Sequence, residues 1–243
     1  MAFNFARSFI PAFAAATALA LAACGGNSGA ADGRTEFERE GDFARGSVDA
    51  PVVFIEYGST ACGGCAAFHQ GVYPTLNRYV EDGTVRLVFR EMLTGSAELA
   101  LAGFMLARCA GEERYFDVLD VLFEQQQAIF MAAQRGQARQ QFQTIARSAG
   151  LSDQEFRACM SDESAVDAIN ESNQRAARDG INATPSFFIN GERVEPNRAP
   201  DGSGVVYFAG NMPIEDEQGF VPAQFTGDTF ARIIEYFRSR AEE

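Results

Sequence analysis

The chain has 243 residues and a formal charge of −13, from 20 basic against 33 acidic side chains, with 47% hydrophobic residues. That acidity argues against nucleic acid or an anionic lipid surface as a partner and otherwise reads as a solvated face. Five cysteines and one histidine carry most of the reactive chemistry, and no internal repeat is found.

Arg7 is the only charge before Asp32, and residues 8–23 are almost wholly Ala, Leu, Phe and Ile. A charge followed by a short apolar run reads as a secretory signal, too short to span a membrane stably. It ends in Leu21-Ala22-Ala23-Cys24-Gly25-Gly26, which resembles a bacterial lipobox with Cys24 as the lipidated residue. The alternative is an ordinary cleavable signal with an incidental cysteine. The expected organisation is a signal at 1–23, a lipidated Cys24 and flexible Gly/Ser/Ala-rich tether to residue 45, and one α/β domain over 46–243. The expected location is periplasmic, lipid-anchored, with the membrane touched only through the lipid.

Val52–Ile55 reads as a buried strand. Gly58-Ser59-Thr60 breaks it, with Ser59 or Thr60 as the expected N-cap. From Cys62, residues Cys65, Phe68, His69, Val72 and Tyr73 recur at helical spacing. Two cysteines therefore fall in the first turn of a helix, where free N–H groups and the helix dipole favour a thiolate. A two-residue spacing lets the sulfurs close a small ring.

Gly83 ends that helix, and residues 84–90 alternate as a second strand, which implies a parallel βαβ unit. Helical stripes follow over 97–110, 112–132 and 138–149. Ser152-Asp153-Gln154-Glu155 is a capping box opening another helix, and a further one covers about 163–179. Phe187-Phe188-Ile189 before Asn190-Gly191 signals a hairpin. Residues 195–226 read as an extended loop with one short strand or hairpin, and 227–240 as a closing amphipathic helix. The expected fold is α/β: a thioredoxin-like βαβ–ββα core with a helical insertion over about 95–180.

Setting Cys24 aside leaves Cys62, Cys65, Cys109 and Cys159. An even number in an exported protein suggests two pairs, a redox pair 62/65 and a structural pair 109/159. The alternative for Cys109 and Cys159 is two buried free thiols. His69 shares a helix face with Cys62 and Cys65, so it reads either as part of a Cys/Cys/His metal site or as packing beside the cysteines. The packing reading assigns no metal.

Val53-Phe54-Ile55-Glu56 leading into Cys62-Gly63-Gly64-Cys65, the helical insertion, and Ala183-Thr184-Pro185-Ser186-Phe187-Phe188-Ile189-Asn190-Gly191 together resemble the DsbA-like thiol–disulfide oxidoreductases. The resemblance implies Cys62 as nucleophile, Cys65 as resolving thiol, Pro185 as a cis-proline beside the sulfurs, and Thr184 as the residue whose backbone would hold a substrate peptide. Glu56 matches the family's buried acid, which would relay the proton of Cys65; its other reading is a strand-end surface carboxylate. Strongly oxidising members often carry Pro-His between the cysteines. Gly63 and Gly64 offer only backbone N–H groups, so a weaker thiolate and a less oxidising disulfide are expected.

The resemblance also implies an enzyme without organic cofactor, its electrons held on the sulfurs. Its partners would be cysteine-containing exported proteins and a membrane redox protein that reoxidises or reduces the pair; a monomer is expected. Two alternatives stand beside disulfide donation: a reductase or isomerase using the same residues, and a lipoprotein that binds metal or peptides without turnover.

Overall fold

The computed structural model describes residues 1–2 and 33–241; the expected signal and Cys24 lie outside the described residues. The strand β2 (Val52–Gly58) is buried along its whole length. Val52 and Phe54 join the main core, whereas Val53, Ile55 and Tyr57 join a second cluster with Ala176 and Ile181. Side chains alternate between the faces of a strand, so Glu56 falls on the Phe54 side. That face is covered by α1 (Gly63–Glu81) and α8 (Gly227–Ala241).

The strand β3 (Val85–Glu91) pairs in parallel with β2 through α1, Val52 opposite Val85 and Gly58 opposite Glu91. On the other side of β2, β4 (Ser186–Ile189) runs antiparallel and turns through Asn190 and Gly191 into β5 (Glu192–Arg198). With β1 (Phe43–Arg45), β6 (Val205–Ala209) and β7 (Met212–Pro213), the sheet order is β1-β3-β2-β4-β5-β6-β7. Gly71 of α1 lets the chain approach closely: a Cβ there would collide with the Phe225 carbonyl just before α8.

The helical insertion comprises α2 (Ala97–Cys109), a 3-10 turn (Glu112–Arg114), α3 (Tyr115–Glu124), α4 (Gln126–Gln134), α5 (Ala138–Ser148), α6 (Asp153–Cys159) and α7 (Glu163–Arg178). The Ser152/Glu155 capping box is formed. Cys109 and Cys159, at the ends of α2 and α6, are joined as a disulfide with Cα atoms 5.8 Å apart.

Three expectations need correction. The helix expected over 112–132 starts as a 3-10 turn and breaks at Gln125, and the break turns Gln126 inward. The tether expected through residue 45 has, from Gly33 onward, specific partners. Arg86 holds Glu38 through two 3.0 Å bonds, Arg90 holds Asp42 at 2.8 Å, and β1 pairs with β3. These acidic residues resemble a solvated linker in sequence because their arginines lie 48 positions away. Finally, residues 195–226 hold more strand than one hairpin. β5 continues through Pro196 to Arg198, β6 and β7 extend the sheet, and β8 (Glu215–Asp216) and β9 (Gly219–Phe220) form a separate hairpin. Pro196 suggests a loop, yet it lies beyond the residues of β5 that pair with β4, so its missing N–H costs no bond on that side.

Candidate functional site

Local chemistry places the thiol pair. The N-cap of α1 is Cys62, not Ser59 or Thr60: its sulfur accepts the N–H of Cys65 at 3.4 Å, the bond a serine hydroxyl would take at such a position. Ser59 instead stiffens the preceding turn, donating its hydroxyl to the Thr94 carbonyl at 2.9 Å. Cys62 is partly exposed and Cys65 is wholly buried; both are free thiols.

Their environments push them apart. The Cys65 thiol donates to the Cys62 sulfur and, with the Thr184 side chain and the N–H groups of Cys65 and Gly64, brings Cys62 down to about 6 against partial burial. Burial pushes Cys65 far above the usual thiol range, and its bond to Cys62 and the nearby Glu56 charge push the same way. The Gly63-Gly64 dipeptide therefore does not prevent a stabilised thiolate, because backbone N–H groups and the second thiol supply what no side chain does.

The peptide bond between Thr184 and Pro185 is cis, and the Thr184 carbonyl lies 3.2 Å from Cys62 Sγ. The Thr184 hydroxyl shares a short hydrogen bond with Thr94. A Cβ on Gly64 would stand 3.2 Å from Pro185 Cδ, so the thiol turn and the proline loop are in near contact.

Glu56 lies beneath this pair, with no exposed surface, and is not a surface carboxylate. Tyr73 donates its hydroxyl to Glu56 Oε2 at 2.8 Å, and His69 Nε2 lies 3.4 Å from the same oxygen. His69 thus packs beneath the thiols against Glu56. Among the described residues, no group of three or more His, Cys, Asp or Glu is placed to hold a metal.

Two side chains around the site had no sequence signal. Gln126, buried at the start of α4, donates to the Thr60 carbonyl at 2.8 Å and the Cys62 carbonyl at 3.0 Å, tying the insertion to the thiol turn. It stands in a run of three glutamines with nothing to distinguish it. Thr94 follows β3 and meets Thr184 only through the fold.

The family model described as thioredoxin matches residues 38–204. The chain belongs to the thioredoxin family. Among thioredoxin-fold structures, it superposes on Wolbachia pipientis alpha-DsbA1 with a TM-score of 0.65 at 23% identity, covering 84% of this chain and 94% of that one. For BdbD from Bacillus subtilis the values are 0.52, 15%, 82% and 94%. Both likenesses establish the thioredoxin fold with a helical insertion. Two Rickettsia proteins carry the name "Putative protein-disulfide oxidoreductase": that of R. bellii is 28% identical over 64% of this chain and 60% of its own length. That of R. typhi is 31% identical over 63% and 56%. The matched region thus spans less than two thirds of the length of these curated relatives.

Proposed function

We propose that this thioredoxin-family chain is a thiol–disulfide oxidoreductase that donates the Cys62–Cys65 disulfide to exported proteins. One observation carries the reading: a partly exposed sulfur held as a thiolate at a helix N-cap, backed by a buried thiol held neutral. A substrate thiolate attacks Cys62 Sγ, breaking the Cys62–Cys65 bond; Cys65 leaves as a thiolate and takes up a proton. A second substrate thiolate attacks the substrate sulfur of the mixed disulfide, and Cys62 departs as the stabilised thiolate. Two substrate thiols have then become one disulfide, and the reduced pair awaits a membrane redox partner. Pro185 and Thr184 would seat the substrate backbone, Glu56 would exchange the Cys65 proton, and the Cys109–Cys159 pair would be structural. Export by the signal at 1–23, lipidation at Cys24 and a periplasmic location belong to the same proposal.

The test is the reduction potential of the purified protein, equilibrated against glutathione. Thioredoxin, with a thiol near about 7, sits at about −270 mV; DsbA, near about 3.5, at about −120 mV. With Cys62 at about 6, the expected potential lies above the thioredoxin value. A potential at or below about −270 mV overturns disulfide donation and makes the chain a reductase.

A further inference from the structure

Cys65 must gain a proton when the disulfide opens and lose it when the disulfide reforms, yet its side chain has no exposed surface. The nearest acid, Glu56, is equally enclosed. Its Oε1 lies beside Gly58, where an added Cβ would stand 3.0 Å from it, and the next residue, Ser59, gives its N–H to Cys65 Sγ at 3.5 Å. Any proton that Glu56 passes to Cys65 has to be replaced from elsewhere. Tyr73 touches Glu56 but is an unsuitable outlet, since burial holds its phenol well above the usual tyrosine range.

His69 is the remaining neighbour. Its ring lies between Tyr73, on which it stacks with centroids 3.4 Å apart, and Phe123, tilted against it at 3.7 Å. This clamp sets Nε2 toward Glu56 Oε2 at 3.4 Å and Nδ1 toward Asp120 Oδ1 at 3.5 Å. Among the described residues, Glu56 Oε1 and His69 Nε2 are buried polar atoms without a hydrogen-bond partner, an arrangement that a static core avoids. Asp120 is 33% exposed and lines, with His69 and Glu124, a cavity of about 470 Å³ on the flank of α1. The charged and titratable groups around His69 are Glu56 of β2, Tyr73 of α1, and Asp120 and Glu124 of α3. Arg45 of β1 lies 3.7 Å from Asp120 Oδ2.

We propose that His69 and Asp120 form the proton path between Glu56 and this cavity, so that the Cys65 proton travels away from the face on which Cys62 meets its substrate. The inference rests on the oxidoreductase reading above. When Cys65 leaves as a thiolate, Glu56 passes it one proton and takes one from His69 Nε2, and the ring regains one at Nδ1 from the Asp120 side, ultimately from water. One proton enters from solvent and one S–H bond forms; reoxidation runs the same path outward. His69 and Asp120 are positioning residues, acting on the sulfurs through Glu56.

The experiment is stopped-flow reduction of the oxidised protein by a small thiol between pH 5 and pH 8, in H2O and D2O, for wild type, His69→Ala and Asp120→Asn. His69→Ala is expected to slow the reaction about tenfold, below the roughly 100- to 10,000-fold attributed to a group that itself transfers the proton. It should also change the pH profile and solvent isotope effect, with free imidazole restoring most of the rate. Asp120→Asn, at the surface and safer for folding, is expected to slow it about threefold. Two results overturn the path: Asp120→Asn within twofold of wild type at every pH, or a His69→Ala loss that imidazole does not restore. A wild-type protein that exchanges no thiol overturns the oxidoreductase reading and this path with it, an outcome visible before either variant is compared.

Discussion

At Cys62 the sulfur caps a helix and, in the proposed reaction, is the nucleophile, so folding and reactivity are coupled through one atom. Its folded value of about 6 lies below that of a free thiol, about 8.5. The reduced protein therefore gains stability as pH rises from about 6 toward 9 and loses it as pH falls through about 6. Denaturant unfolding of the reduced protein at pH 5, 7 and 9 should show this rise, and Cys62→Ser should abolish it. The intervening glycines separate by their surroundings. Among the described residues a Cβ on Gly63 meets nothing within 4 Å, so Gly63→Ala should raise stability by about 0.4–1 kcal/mol through the unfolded chain. Gly64→Ala should gain less, because its methyl presses on Pro185 3.2 Å away; thermal unfolding of the two variants checks the order. The cysteine pair was legible because strand, turn and helix start are neighbours in sequence. The partners of His69 were not: Glu56 and Asp120 reach it from two other elements, and no spacing rule joins them.

At the scale of elements, β3 ends on a buried carboxylate that organises the insertion. Glu91 is 1% exposed, and Arg108 of α2 holds it through bonds of 2.6 and 3.0 Å, while Tyr115 of α3 donates at 3.0 Å. Burial nevertheless pushes the Glu91 carboxyl upward, against both partners. Arg108→Met leaves this carboxylate unpaired, and the expected loss at neutral pH is about 3–5 kcal/mol, measured by urea unfolding. Glu91→Gln in the same background should recover part of it. The helices of the insertion were largely readable from their apolar stripes, with the 112–132 segment divided by a break at Gln125 that periodicity does not register. The strands after Asn190-Gly191 were harder to read. β7, β8 and β9 have two residues each, and short edge strands hold no pattern long enough to distinguish from a turn.

For the molecule as a whole, the Cys109–Cys159 bond spans 50 positions and pins α6 to α2. In the chain-entropy account a loop of that length contributes about 4 kcal/mol. Replacing both cysteines by alanine should lower stability by up to that amount, read by denaturant unfolding, while the Cys62/Cys65 potential stays near the wild-type value. The thioredoxin-like architecture was visible because each half carries its own local signature, and the acidic N-terminal segment was not, because its partners are remote arginines. That segment also sets a length. Glu38 and Asp42 are fastened to β3, and Gly33, the first residue described before them, lies nine positions after Cys24. Fully extended, nine residue steps reach only about 30 Å. On the anchoring proposed above, Gly33 stays within about 30 Å of the lipid, a leash that keeps the folded body beside the membrane and a redox partner embedded in it.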